Sequence, residues 1–207
     1  MNETKQIKSN TNTKRGAKRL ARIALFTAFT AVCAQISIPL PGGVPITLQT
    51  LAVMFASLSL GFDGVAAVAV YVLLGLIGVP VFSGFGATAS LVSPTGGFIV
   101  GFLPMSAVMA TIAKAFEKHS ENGIKPAEKK NESRKRFIVY ALASLAGTVI
   151  CYTFGTAWFI EFFTLKGTEK TLGYALSACV LPFIVPDLLK IALASYLGIA
   201  SRKILRK

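Results

Sequence analysis

Pro186-Asp187-Leu188-Leu189-Lys190-Ile191-Ala192-Leu193-Ala194-Ser195-Tyr196-Leu197-Gly198-Ile199-Ala200 is an apolar run with two opposite charges at its head. Its length and composition read as a membrane-embedded helix. Asp187 and Lys190 stand three apart and so share one helix face. A charge at the centre of a bilayer costs about 2.5–3.5 kcal/mol on insertion scales, and charges kept there face a cavity or one another. The pair reads either as a structural tie between the last helix and its neighbours or as the polar part of a ligand or ion site.

The remainder of the 207-residue chain has the same character, with 53% hydrophobic and only 15% charged residues. The apolar residues fall in runs at about 20–38, 46–62, 65–79, 96–115, 137–163 and 172–200, more than a soluble domain of this size can bury. These predict an all-α membrane protein, a single bundle of six transmembrane helices over residues 20–202. A basic segment at 1–19, polar and without a fold of its own, precedes the bundle, and a basic tail at 203–207 follows it. The second and third runs lie near or below the ~17–25 residues that a straight span needs. Pro182 and Pro186, four apart, disfavour one continuous last helix. Pro186 fits the first position of a new helix, which leaves 171–185 as a separate re-entrant or interfacial piece.

The net charge of +13 raises the possibility of a nucleic-acid partner, but its distribution argues for a membrane. Of the 22 Lys and Arg, 19 lie before residue 23, between Lys114 and Arg136, or in the last six positions. Six spans put those three places on one side, and the excess of positive charge makes that side the cytoplasm. The charged connection at 117–136 is then cytoplasmic, as are both termini. Polar sequence ahead of the first run is longer than a signal-peptide n-region, so the first helix is expected to stay uncleaved.

Few motifs for chemistry are present. Cys33, Cys151 and Cys179 sit in or beside apolar runs without a CxxC spacing, and His119 lies among charged residues. No phosphate-binding GxxxxGK[ST], no HExxH and no GxSxG occurs, so no metal, no cofactor and no enzymatic activity is expected. The interior is too apolar for a channel.

Two connections on the outer side draw attention. Pro39-Leu40-Pro41-Gly42-Gly43-Val44-Pro45 is dense in helix stoppers and leads to Thr47 and Gln49. Phe82-Ser83-Gly84-Phe85-Gly86 and Ser93-Pro94-Thr95-Gly96-Gly97-Phe98 form a neutral, glycine-rich, aromatic connection, which suits a lid over a small ligand or a loop in lipid headgroups. Tyr152, Gly155 and Trp158, three apart, present aromatic rings either to a neighbouring helix or to a cavity. On the first helix Ala17, Ala21, Ala24 and Ala28 make two small-xxx-small pairs that allow close approach of another helix.

The stretch from Pro39 to Leu51, the Pro94-Thr95-Gly96-Gly97-Phe98 segment, and Pro182-Phe183 followed by Asp187-x-x-Lys190 together resemble the BioY family. These are the substrate-binding S components of biotin transporters of the energy-coupling-factor (ECF) type. The resemblance spans residues 20–201 and implies a multi-pass protein of a bacterial plasma membrane with a biotin pocket open to the outside. Its implied partners are a transmembrane coupling protein, the T component, and two ATP-binding-cassette ATPases that drive release inside. It makes Ala17, Ala21, Ala24 and Ala28 the docking face for the coupling protein, and Asp187 and Lys190 the polar binding pair. Thr47, Gln49, Thr95, Gly96 and Gly97 join them from the matching motifs, with Phe82, Phe85, Tyr152 and Trp158 as walls. An S component for another vitamin, or a structural membrane protein without a ligand, are the competing readings. Pro94 departs from members that carry Arg before Thr-Gly-Gly; if that Arg helps hold the ligand's carboxylate, another group does so here.

Overall fold

The computed structural model describes residues 2–121 and 129–205. Residues 1, 122–128 and 206–207 lie outside the described residues, and so does that part of the expectations for the basic segment, the charged connection and the tail. Helices are α1 (Asn2–Gln35), α2 (Gln49–Leu60), α3 (Phe62–Leu76), α4 (Thr88–Leu91), α5 (Gly96–Glu121), α6 (Lys129–Leu165), α7 (Leu172–Cys179) and α8 (Leu181–Leu205). Between α1 and α2 a two-stranded antiparallel ribbon pairs β1 (Ser37–Ile38) with β2 (Ile46–Thr47), Ser37 opposite Thr47 and Ile38 opposite Ile46. It closes the proline-rich connection into a short hairpin.

Three stretches, Gly96–Lys118, Glu132–Leu165 and Leu181–Ser201, are long and apolar enough to cross a bilayer. α2 and α3 have 12 and 15 residues. At ~1.5 Å per residue they reach ~18 and ~22 Å, short of a ~30 Å hydrocarbon core. They form a tight hairpin about Gly61, which turns through φ 60°. Gly64 makes the closure possible, since a Cβ there would lie 2.2 Å from the Ala56 carbonyl oxygen.

Two helices run further than composition suggests. α1 is helical from Asn2, so the segment expected to lack a fold continues the first apolar run. α5 reaches Glu121 and α6 starts at Lys129, so most of the expected connection at 117–136 is helix. Extending a helix that packing has already formed adds one bond per residue fixed, whereas nucleating a new one is costly.

α8 also differs from expectation. It begins at Leu181, so Pro186 lies inside the helix rather than at its head. Pro182 sits in the first turn, where no N–H is required, and the Phe183 N–H bonds the Val180 carbonyl at 3.0 Å. Pro186 has no N–H for the Pro182 carbonyl. Asp187 is thereby set about 9 Å into the helix rather than in its outermost turn.

α1 buries Phe26, Thr27, Thr30, Cys33 and Ala34 against α2 and α3. Thr27 Oγ1 donates to the Ala67 carbonyl at 3.0 Å. The most extensive helix contact joins α5 to α6, and α8 packs mainly on α2. Tyr71, Met54, Leu58, Met105, Met109 and Tyr140 fill the core.

The ends of the bundle are distinct. Arg19 pairs with Asp63 at the α2–α3 turn (2.7 Å), and Lys114 of α5 lies 5.0 Å from the Phe62 ring. Tyr140 OH donates to Glu117 Oε1 at 3.0 Å, and Ser59 and Ser201 hydroxyls meet at 2.7 Å. Segments of α1, α5, α6 and α8 that carry the basic clusters therefore gather at one end, with the α2–α3 turn. Connections 39–48 and 77–95 lie at the other.

Candidate ligand-binding site

Asp187 and Lys190 are 3% and 6% exposed, and Lys190 Nζ donates to Asp187 Oδ1 at 2.6 Å. Lys190 Nζ also donates to Thr50 Oγ1 of α2 at 3.1 Å. Tyr152 of α6 donates its hydroxyl to Asp187 Oδ2 at 2.6 Å. The pair is thus shared by three helices. An ammonium has three donors and a carboxylate about four acceptor positions, so among the described residues one N–H and further carboxylate lone pairs are left for a ligand.

These groups line a cavity of about 280 Å³. That is close to the lower end of the ~300–1,000 Å³ of small-ligand clefts. α5 contributes Phe98, Ile99, Phe102 and Met105; α6 contributes Thr148, Cys151 and Tyr152; α2 contributes Gln49 and Thr50; and Phe183 adds to α8's pair. Gly43, Val44, Pro45 and Thr47 close it from the first connection, and Phe82, Ser83, Ser90, Ser93, Pro94 and Thr95 from the second. Ser93 and Thr95 hydroxyls stand 2.8 Å apart there. An ion pair lies against aromatic and aliphatic walls, an arrangement that takes a small organic molecule with a compact polar group.

Of the residues singled out from sequence, Asp187, Lys190, Thr47, Gln49, Phe82, Thr95 and Tyr152 line this cavity. Phe85, Gly96, Gly97 and Trp158 do not. Phe85 points away, 73% exposed. Gly96, Gly97 and Trp158 belong to a separate groove with Leu91, Val100, Phe154, Ala157 and Glu161. Gly97 is a packing glycine, since a Cβ there would meet Trp158 Cβ at 2.2 Å, and Trp158 Nε1 donates to the Ser93 carbonyl at 2.9 Å. At ~100° per residue, positions 152 and 158 point about 120° apart, so one helix face cannot hold both. Gly155 makes room for the Phe98 ring, 2.2 Å from where its Cβ would be.

Thr50, Phe98, Phe102, Met105 and Phe183 also line the cavity but are not among the site residues expected from sequence, although Thr50, Phe98 and Phe183 lie in the motifs quoted above. Phe98, Phe102 and Met105 follow the four-three spacing of a helix face, a signal available from sequence. Thr50 has no such signal, because its role depends on Lys190, 140 positions away.

Membrane-length apolar helices around a cavity holding a buried ion pair define a helical membrane protein with an internal site. The family model of the BioY family matches residues 3–207, and the chain belongs to that family. It is 36% identical over 180 residues to the probable biotin transporter BioY of Pyrococcus horikoshii, covering 86% of this chain and 92% of that one. The biotin transporter BioY of Thermotoga maritima is 34% identical over 189 residues, covering 90% and 97%. Among solved structures, the S-component for biotin from an ECF-type ABC transporter shares the fold, with a TM-score of 0.71 at 24% identity over 94% of each chain.

Proposed function

We propose that the chain is the biotin-binding S component of an ECF-type vitamin transporter. It captures biotin outside the cell with high affinity and delivers it inside when coupled to a T component and two ATP-binding-cassette ATPases. The observation that carries this reading is the Asp187–Lys190 pair, buried in the cavity with hydrogen-bonding capacity to spare. Biotin's cyclic urea places N–H donors beside a carbonyl acceptor. Asp187 accepts from the former and Lys190 donates to the latter. Phe82, Phe98, Phe102, Met105 and Phe183 give its thiophane ring and valeryl chain apolar surface. With Pro94 uncharged, the hydroxyls of Ser93 and Thr95 serve the carboxylate once they give up their present bonds to the Ser90 carbonyl (2.7 Å from Ser93 Oγ) and to each other (2.8 Å).

Six membrane crossings, with both termini and the 117–136 segment cytoplasmic, complete the reading. The gathering of the basic clusters at the end opposite the cavity's loops supports it. Ala17, Ala21, Ala24 and Ala28 are all exposed on α1 and form the face offered to the T component. Thermal unfolding of the purified protein tests the ligand: biotin raises the midpoint and other vitamins do not. A shift with a different vitamin, or none with biotin, overturns the assignment.

A further inference from the structure

The loop that carries Phe82 is fastened to the end of α1 by one side chain. Gln35, the last residue of α1, donates through Nε2 to the carbonyls of Phe82 (3.0 Å) and Val81 (3.3 Å). Its Oε1 accepts the Phe85 N–H at 2.9 Å. Between these points the loop closes on itself, Phe82 and Gly86 exchanging N–H···O bonds of 2.8 and 3.1 Å. Phe85 turns through φ 57°, a left-handed conformation unfavourable for a residue with a bulky side chain, and its bond to Gln35 helps hold it there. Phe82 is buried, edge-on to Tyr71 at 5.4 Å, and with Ser83 forms cavity wall.

A second line of contacts meets the first at the Val81 carbonyl. That oxygen also accepts from Tyr71 OH (3.1 Å), and Tyr71 OH accepts from Gln49 Nε2 (2.8 Å). Gln49 lines the cavity; Gln35 does not. A chain of hydrogen bonds therefore runs from the cavity through Gln49, Tyr71 and Val81 to the end of α1. Severing Gln35 takes one of two donors from each of the Val81 and Phe82 carbonyls, which keep the Tyr71 hydroxyl and the Gly86 N–H, and leaves the Phe85 N–H without this acceptor.

We propose that Gln35 is a positioning residue, the latch of a gate formed by residues 81–86, which sets how fast ligand enters and leaves the cavity. The proposal rests on that cavity being the ligand site. Gln35 bonds the loop without itself lining the cavity, so loosening those bonds speeds both entry and exit and leaves the equilibrium affinity nearly untouched. A residue that merely shapes the site acts differently, weakening affinity through dissociation alone. α1 also carries the exposed alanine face, so a partner seated there bears on the helix that holds the latch.

Two variants of the full chain test this. Gln35→Leu removes the polar contacts to the loop. Gln35→Glu keeps an acceptor for the Phe85 N–H but sets carboxylate oxygen against two carbonyls. Amide hydrogen exchange of the ligand-free proteins is expected to rise about two- to tenfold at 82–86 in both, the factor given by one hydrogen bond of ordinary net worth, with α5 and α6 unchanged. Association and dissociation rates of radiolabelled biotin are expected to rise together by about the same factor, with affinity within about threefold of wild type. Unchanged exchange at 82–86 overturns the latch, as does faster dissociation without faster association. Failure of the wild type to bind biotin strikes the functional reading instead, and the exchange measurement still decides the latch.

Discussion

Tyr152 Oη lies 2.6 Å from Asp187 Oδ2, while Lys190 Nζ lies 2.6 Å from Oδ1 of the same carboxylate. One buried anion is thus held from two helices, and its cation is held in turn by Thr50 of a third. Desolvating two charges is expensive, and the cost is offset only where their remaining hydrogen-bonding positions are filled. Here they are filled in part, and what remains faces the cavity.

Removing either charge should therefore harm binding more than an ordinary contact would. Loss of one partner of a buried pair typically costs ~3–5 kcal/mol, about 100-fold or more in affinity if most of it falls on the bound state. Asp187→Asn and Lys190→Met should each weaken biotin binding to that extent. The double variant should be little worse than either alone, because each single change already removes the shared unit. Titration of the three purified proteins checks this; near wild-type affinity in either single variant would make the pair structural.

Tyr152→Phe removes one donor and keeps the ring. A hydrogen bond to a charged group is worth about 1.5–3 kcal/mol, so affinity should fall roughly 10- to 100-fold, while Asp187 keeps Lys190. Equilibrium binding measures it. An unchanged affinity would mean that a ligand group or water replaces the phenol without loss.

Phe102 lines the cavity, whereas Trp158 lines the separate groove. Trp158→Ala should lower thermal stability, since its ring seals α5 against α6 over Gly97, yet leave biotin affinity within about threefold. Phe102→Ala truncates cavity wall and should weaken binding by about tenfold or more, part of the ~3–5 kcal/mol typical for loss of a buried Phe side chain. The reverse ranking in a binding assay would return Trp158 to the site.

The sequence is legible where one local rule dominates. A charged pair three apart in an apolar run, proline- and glycine-rich connections and segregated basic clusters each imply their structure without distant information. The place of Asp187 and Lys190 in the cavity is legible for that reason; Tyr152, expected as an aromatic wall, lines it too, but its hydroxyl's bond to Asp187 has no signal in the sequence. Residues that fall outside the cavity do so through angle and packing: Trp158 shares a helix with Tyr152 but not a face, and Gly97 packs against Trp158. The start of α8 was misread because Pro186 suits a first position locally, whereas helical packing from Leu181 overrides that preference. Thr50 and Gln35 depend on partners that only the folded chain brings near.

Orientation is tested with a single cysteine. If the basic clusters mark the cytoplasm, Ser133→Cys, near the start of α6, should resist an impermeant thiol reagent added outside intact cells and react once the membrane is opened. Buried Cys33, Cys151 and Cys179 give little background. Labelling from outside would invert the topology and place the cavity's loops within.

The exposed side of α1 carries the last prediction. Phe26, Thr27, Thr30, Cys33 and Ala34 turn inward, whereas Ala17, Ala21, Ala24 and Ala28 face outward, so the inner contacts do not need the alanines. Small residues let a second helix backbone approach closely, the main source of association energy in lipid. Ala24→Trp and Ala28→Trp put an indole where that approach would occur. Both should abolish co-purification with the T component while leaving biotin affinity within about threefold, because neither position lines the cavity. Survival of the complex in both variants would move the docking face elsewhere; joint loss of complex and biotin binding would mean that α1 had been displaced from α2 and α3.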